Sequence, residues 1–189
     1  MLIILFSYLI GSIPSGLILS KLILGKDIRK HGSGNIGTTN AYRIGGKKLG
    51  ILTLIADMSK AAIAVLAAEL IYPENLEMKC LCGLAASVGH MYSAFMKLSG
   101  GKGVATSIMV LLLIHMPLAL FTVSIFLPVV YFSRYVSLAS IIASVGAAAA
   151  SFGTHQQAVI ATTWVMAILI TIKHKENIKR LFSGTENKV

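Results

Sequence analysis

Between two apolar stretches the chain places HGSGNIGTTNAYRIGGKKLG, residues 31–50. It carries hydroxyls at Ser33, Thr38 and Thr39, amides at Asn35 and Asn40, a guanidinium at Arg43, and no carboxylate. Its glycines let backbone N–H groups turn toward one point, and such groups cradle anionic oxygens. Arg43 adds a planar fork suited to phosphate. A second stretch, KLSGGKGVATS at 97–107, sets Gly100, Gly101, Lys102 and Gly103 at the head of an apolar run. Free N–H groups, a helix N-terminus and an ammonium would meet there, which again suits a phosphate. It is not a nucleotide-binding P-loop, because Gly103 follows Lys102 where that motif requires Ser or Thr.

Two further clusters are poised for the same chemistry. RYVSL (134–138) offers Arg134 and Ser137, and the tail KHKENIKRLFSGTE (173–186) offers His174 and Asn177. The latter two are three residues apart and share one helix face. Glu176 lies two residues beyond His174, but helical residues two apart do not face each other, so the motif stretches assemble no Ser-His-acid triad. Asp57 and Lys60 lie inside an apolar run, where charges are costly and mark function or a paired structural role; at i, i+3 they can pair. Cys80 and Cys82 form C-x-C without the further ligands a metal site needs, so they are expected as inert buried thiols with no metal and no cofactor.

The elements that must hold these groups are membrane helices. Hydrophobic residues make up 56% of the 189 residues, and the mean hydropathy is +0.80, too apolar for a soluble globule. The net charge of +10 would suggest nucleic acid in a soluble protein, but no basic stretch is interleaved with aromatics. Here the basic residues are the loops retained in the cytoplasm. A span needs about twenty apolar residues. Met1 to Leu24, Gly50 to Tyr72 and Lys79 to Phe95 give three, the first an uncleaved span kinked at Pro14. The tracts Val104 to Phe132 and Val136 to Ile172 follow. The second would be about 55 Å as one helix, well beyond a hydrocarbon core of about 30 Å. It should break at SFGTHQQ (151–157), and the first at HMP (115–117). The expectation is an all-α, polytopic protein of seven transmembrane helices, a single domain over 1–189, N-terminus outside and C-terminus cytoplasmic. All four clusters then lie on the cytoplasmic face.

Taken in order, GSIPSG (11–16), DIRKHGSGNIGTTNAYR (27–43), GH (89–90), GGKGVAT (100–106), SLAS (137–140) and HKENIKRLFSGTE (174–186) resemble the bacterial acyl-phosphate:glycerol-3-phosphate acyltransferases, the PlsY family, essentially end to end. Ala61 and Ser93 depart from the family pattern, which commonly has Gly and Pro there. The resemblance implies a multi-pass enzyme of the bacterial inner membrane. It transfers a fatty acyl group from acyl phosphate to the 1-hydroxyl of sn-glycerol 3-phosphate, giving lysophosphatidic acid and inorganic phosphate, the first step of phospholipid synthesis. Ser33, His174 and Asn177 are the expected catalytic set. Arg43, Lys102, Gly100, Gly101, Gly103, Asn35, Thr38, Thr39, Asn40, Arg134 and Ser137 are the expected phosphate-binding groups, with Asp57, Lys60 and Glu186 in support. The expected partners are the two substrates and membrane lipid, with the protein a monomer. The H-x-x-x-x-D acyltransferase class is excluded: the fifth residue after each histidine is Ile36, Phe95, Leu120, Ile160 or Lys179. A transporter for an organic phosphate anion is the competing reading, but it would want polar groups on both membrane faces. A purely structural membrane protein leaves the hydroxyl and amide clusters unexplained.

Overall fold

The computed structural model describes all residues, 1–189. It is helical throughout, with no sheet: α1 (Leu2–Ser12), α2 (Ser15–Leu24), α3 (Thr38–Ile71), α4 (Leu76–Met91), α5 (Val104–Ile114), α6 (Met116–Ser133), α7 (Val136–Ser151), α8 (Gln157–Lys173) and α9 (Lys175–Phe182). The expected interruptions are present. The first apolar stretch breaks at Ile13–Pro14, the fourth at His115, and the last at the 3₁₀ turn Phe152–Thr154. His115 starts α6 by accepting the Leu118 N–H on its Nδ1, which offsets the donor left unpaired at a helix N-terminus.

Length and composition support fewer crossings than the seven expected. Leu2–Leu24, Thr38–Ile71, Met116–Ser133 and Val136–Thr154 are long and apolar enough to span, and α8 with α9, bent by 58°, makes a fifth if counted as one. The shortfall is geometric. At 1.5 Å per residue, α4 is about 24 Å long and α5 about 17 Å, short of a full hydrocarbon core.

Two compact units divide the chain, Met1–Val110 and Leu111–Val189. In the first, α1 packs on α4 and α3, and α2 packs on α3. A Cβ at Gly11 would overlap the Ala86 backbone, so glycine sets the α1–α4 approach as small residues do in membrane bundles. Leu17, Ile28, Ile36, Ala41, Leu49 and Met96 form a cluster beneath the first glycine loop, so the loop rests on apolar packing at both of its ends. Ser93 donates its hydroxyl to the Ser12 carbonyl at the end of α1, and Ala61 is fully buried.

In the second unit α7 packs between α6 and α8. Its buried face is built from small side chains, Ala139, Ala143, Ala147 and Ala148 with Ser137, Ser140, Ser144 and Ser151. Ser140, Ser144 and Ser151 donate back to carbonyls of their own helix, which satisfies hydroxyls that lipid could not. Large apolar side chains such as Leu70, Phe132 and Trp164 point outward, the arrangement of a protein solvated by lipid rather than water. Both cysteines are buried, and neither forms a disulfide.

Candidate active site

The first loop is organised by one side chain. Asn40, on the first turn of α3, is 2% exposed. Its Oδ1 accepts the Ser33 N–H at 2.9 Å. Its Nδ2 donates to the carbonyls of Asn35 (2.8 Å), His31 (3.2 Å) and Ile28 (3.3 Å). Both ends of the amide are therefore engaged by backbone, and Asn40 shapes the loop from beneath it. Asn35 does the same on a smaller scale, accepting the Gly37 N–H on its Oδ1 at 2.9 Å. The helix then begins at Thr38, so first-turn N–H groups of α3 open toward the loop. Thr39 lies on that turn, and the Thr38 hydroxyl is buried without a hydrogen-bond partner. Ser33 itself is exposed at the loop crest.

Arg43 follows one turn later, half-buried, on the short segment of α3 that precedes a break. The break is at Gly46, whose φ of 67° and ψ of −165° interrupt the helix; that region favours glycine. It separates the polar segment that carries Asn40 and Arg43 from the long apolar one. The one carboxylate close in sequence is neutralised. Asp27 receives the Arg29 side chain at 2.9 and 2.6 Å, and this hydrogen bonding holds its carboxyl well below the usual range. It does not oppose an anion at the loop.

Exchanging Asn40 for Asp tests this organisation. Three donated hydrogen bonds would become oxygen-to-oxygen contacts in a buried site, at a cost of about 1–3 kcal/mol for each unmet group. The variant is expected to melt lower in detergent and to expose residues 28–37 to protease, whereas unchanged protection of that segment would count against Asn40 as its clamp.

The second loop connects α4 to α5. Gly101 donates its N–H to the His90 carbonyl at 2.9 Å. Gly103 has a φ of 82° and lies against the end of the Met91 side chain, and it is the left-handed conformation that calls for glycine. A Cβ on Gly100 would overlap the carbonyl oxygens of His90 and Met91, so the loop backbone packs closely on the end of α4. Lys102 is half-buried between these glycines. Behind the loop, Asp57 and Lys60 form the expected ion pair at 2.9 Å, with side chains only 3% and 5% exposed. Lys60 also donates to the Ile13 carbonyl at 2.9 Å, satisfying an acceptor freed by the break at Pro14.

In the second unit the tail folds back on α7. Glu186 Oε1 accepts from Asn177 Nδ2 at 2.6 Å and from Ser137 Oγ at 2.8 Å, while Oε2 accepts from Arg180 Nε at 2.7 Å. Burial alone would raise the Glu186 carboxyl, but these three donors outweigh it and hold it below its usual value. Arg134 joins through its backbone, its carbonyl accepting the Val189 N–H at 3.0 Å. His174 sits at the bend between α8 and α9 and is 2% exposed. Its Nδ1 lies 2.8 Å from the Ile170 carbonyl. A carbonyl can only accept, so Nδ1 is the donor in this contact. Nowhere do three or more His, Cys, Asp or Glu gather as metal ligands would.

Asn40 as a loop clamp, Asp27 as a neutralised neighbour, Arg180 as a partner of Glu186, and the contact of His90 with Gly101 were not read from sequence. Each depends on a tertiary or turn contact that spacing does not encode. One signal was available: Asn40 precedes Ala41 on the face that becomes buried.

Comparison with known proteins points the same way. The glycerol-3-phosphate acyltransferase family profile matches residues 1–184. A glycerol-3-phosphate acyltransferase of Syntrophotalea carbinolica is 40% identical over 99% of this chain and 96% of its own length. One from Geotalea daltonii is 45% identical over 98% and 95%. Among solved structures, the glycerol 3-phosphate form of PlsY (YgiH), an integral membrane glycerol 3-phosphate acyltransferase, superposes with a TM-score of 0.93 at 39% identity, covering 100% of this chain and 94% of that one. The lysophosphatidic acid form gives 0.88 at 37% identity, covering 99% and 93%. With sequence and fold in agreement over nearly the full length, the chain belongs to the PlsY family of glycerol-3-phosphate acyltransferases.

Proposed function

We propose that the protein transfers a fatty acyl group from acyl phosphate to the 1-hydroxyl of sn-glycerol 3-phosphate, releasing lysophosphatidic acid and inorganic phosphate. The observation that carries this reading is the Asn40-clamped loop. It exposes Ser33 beside the first turn of α3 and Arg43, with its one nearby carboxylate tied to Arg29. Both substrates are phosphates, and the Gly100–Gly103 loop with Lys102 supplies a second place of the same chemistry.

The reaction is a single displacement. The 1-hydroxyl oxygen attacks the acyl carbonyl carbon, the bond from that carbon to the phosphate oxygen breaks, and the leaving phosphate takes the hydroxyl proton. Acyl phosphate carries its own basic oxygens next to the reacting carbon, so the protein need not supply a separate base. Ser33 and loop N–H groups stabilise the charge that develops on the carbonyl oxygen, and His174 and Asn177 position the acceptor. Arg43, Lys102, Arg134 and Ser137 hold phosphate oxygens. No metal or cofactor takes part, and the protein works as a monomer. Purified protein supplied with labelled glycerol 3-phosphate should form lysophosphatidic acid with acyl phosphate and not with an acyl thioester. Turnover with the thioester alone would reject the donor assignment.

The same reading places the protein in the bacterial inner membrane with seven crossings, N-terminus outside. The short α4 and α5 cross with help from their flanking turns, and the motif loops then share the cytoplasmic side. The outer connections retain Lys79, paired with Glu69 at 2.6 Å, whereas the basic residues concentrate on the motif loops. A cysteine introduced at His155 in a cysteine-free background should react with an impermeant maleimide added to intact spheroplasts, and one at Arg134 only after permeabilisation. The reverse pattern would invert the topology.

A further inference from the structure

We infer that Asp57 and His90 are positioning residues that hold the Gly100–Gly103 loop in place through the His90 imidazole; this rests on the reading of that loop as a phosphate cradle. A continuous buried chain of contacts leads there. Lys60 Nζ donates to the Ile13 carbonyl at 2.9 Å and reaches Asp57 Oδ1 at 2.9 Å. The same Asp57 oxygen lies 3.5 Å from His90 Nδ1, an ion-pair distance rather than a hydrogen bond, and Nδ1 has no hydrogen-bond partner. The far edge of the ring meets the loop: a Cβ on Gly101 would overlap His90 Nε2. The Gly101 N–H is also held by the His90 carbonyl at 2.9 Å. His90 thus touches the loop with both its backbone and its ring, and its exposed fraction is 4%.

Simple packing does not account for this arrangement. An apolar side chain of similar size would fill the space behind Gly101 without the cost of burying a carboxylate and an ammonium among apolar helices. The ion pair instead fixes a charge on one side of the imidazole. Turning the ring away from that charge would drive its other edge into Gly101. Ring orientation and loop position are therefore one variable, and the N–H groups and the Lys102 ammonium move with the loop. Binding geometry is sensitive to displacements of about 1 Å, so loosening the ring should be felt by whichever substrate has its phosphate at this loop.

Steady-state kinetics on the purified full-length protein in detergent tests this, with both substrates varied and Lys102→Ala as the reference. In His90→Ala and Asp57→Asn, the KM of one phosphate substrate should rise about tenfold or more. It should be the same substrate whose KM rises in Lys102→Ala, while the KM of the other stays within about twofold. His90→Gln, whose amide can reach the Nε2 position against Gly101, should recover more of the loss than His90→Asn, which reaches only the Nδ1 position facing Asp57. If Asp57→Asn does not fold, Asp57→Asn/Lys60→Met removes the unpaired buried ammonium and should show the same selective shift. A merely structural role would lower the amount of active protein, and hence the apparent kcat, with both KM values unchanged. That result, alongside a raised KM in Lys102→Ala, overturns the inference and leaves the cradle standing. An unchanged KM for both substrates in Lys102→Ala removes the cradle and the inference together.

Discussion

Ser33→Ala is expected to lower kcat about a hundredfold or more, the usual consequence of losing one preorganised donor to a developing oxyanion. Its effect on KM for glycerol 3-phosphate should be small. Ser33 is exposed at the crest of the first loop, and its backbone is fixed by the Asn40 Oδ1 contact at 2.9 Å. The hydroxyl is therefore presented from an anchored backbone. Loss of the hydroxyl leaves that anchor intact, so the variant should fold and melt like the parent. The competing role is a covalent acyl carrier. Incubation with labelled acyl phosphate alone distinguishes them: direct transfer leaves no label on the protein and gives intersecting initial-rate lines. A trappable ester on Ser33, or parallel lines, would reject the single-displacement mechanism.

The second large effect is expected at Glu186. Its carboxylate receives Asn177, Ser137 and Arg180 at 2.6, 2.8 and 2.7 Å and is 5% exposed. Glu186→Ala removes the acceptor that Asn177 and Ser137 share and releases the tail from α7. Unmet buried polar groups cost about 1–3 kcal/mol each. Arg180 is about a third exposed, so it can turn to water and its share is small. The apparent melting temperature should fall clearly, and kcat should fall about tenfold to a hundredfold as Asn177 loses its orientation.

The sign of the pH dependence follows from the same contacts. Burial raises the Glu186 carboxyl, but Asn177, Ser137 and Arg180 together bring it below its ordinary 4.5. A depressed native value means that the full stabilisation is present above pH 4.5 and is lost as pH falls through the lower native value. The gap in melting temperature between the parent and Glu186→Ala should be constant above that pH and close below it. A gap that widened on acidification would contradict the clasp.

Much of the helical plan follows from local chemistry. The breaks at Pro14, His115 and residues 152–156 were legible because proline, glycine and the length of an apolar run constrain a chain wherever it sits. The pairing of Asp57 with Lys60 was legible for the same reason, since residues three apart on a helix are neighbours. The crossing count was less so. Hydropathy marks where apolar runs begin and end, but the length of helix that forms inside them depends on turns such as Ser93–Leu98. Those turns ended α4 at Met91 rather than at the Phe95 expected.

Residue type and spacing by themselves determined that this is a helical membrane protein whose basic, carboxylate-poor glycine loops suit phosphate, and they singled out Ser33, Arg43, Lys102, His174 and Asn177 as candidates. What those loops are held by was decided only in three dimensions. Asn40 looked like one more phosphate contact, yet its amide is taken by four backbone groups of the loop it follows. His90, inside the third apolar stretch, stands between Asp57 and Gly101. Glu186 gathers partners 49, 9 and 6 residues away. The physical reason is common to all three. A polar side chain removed from water must find its partners among whatever the packed helices bring within about 3 Å, and neither the periodicity of the chain nor its composition says which groups those will be.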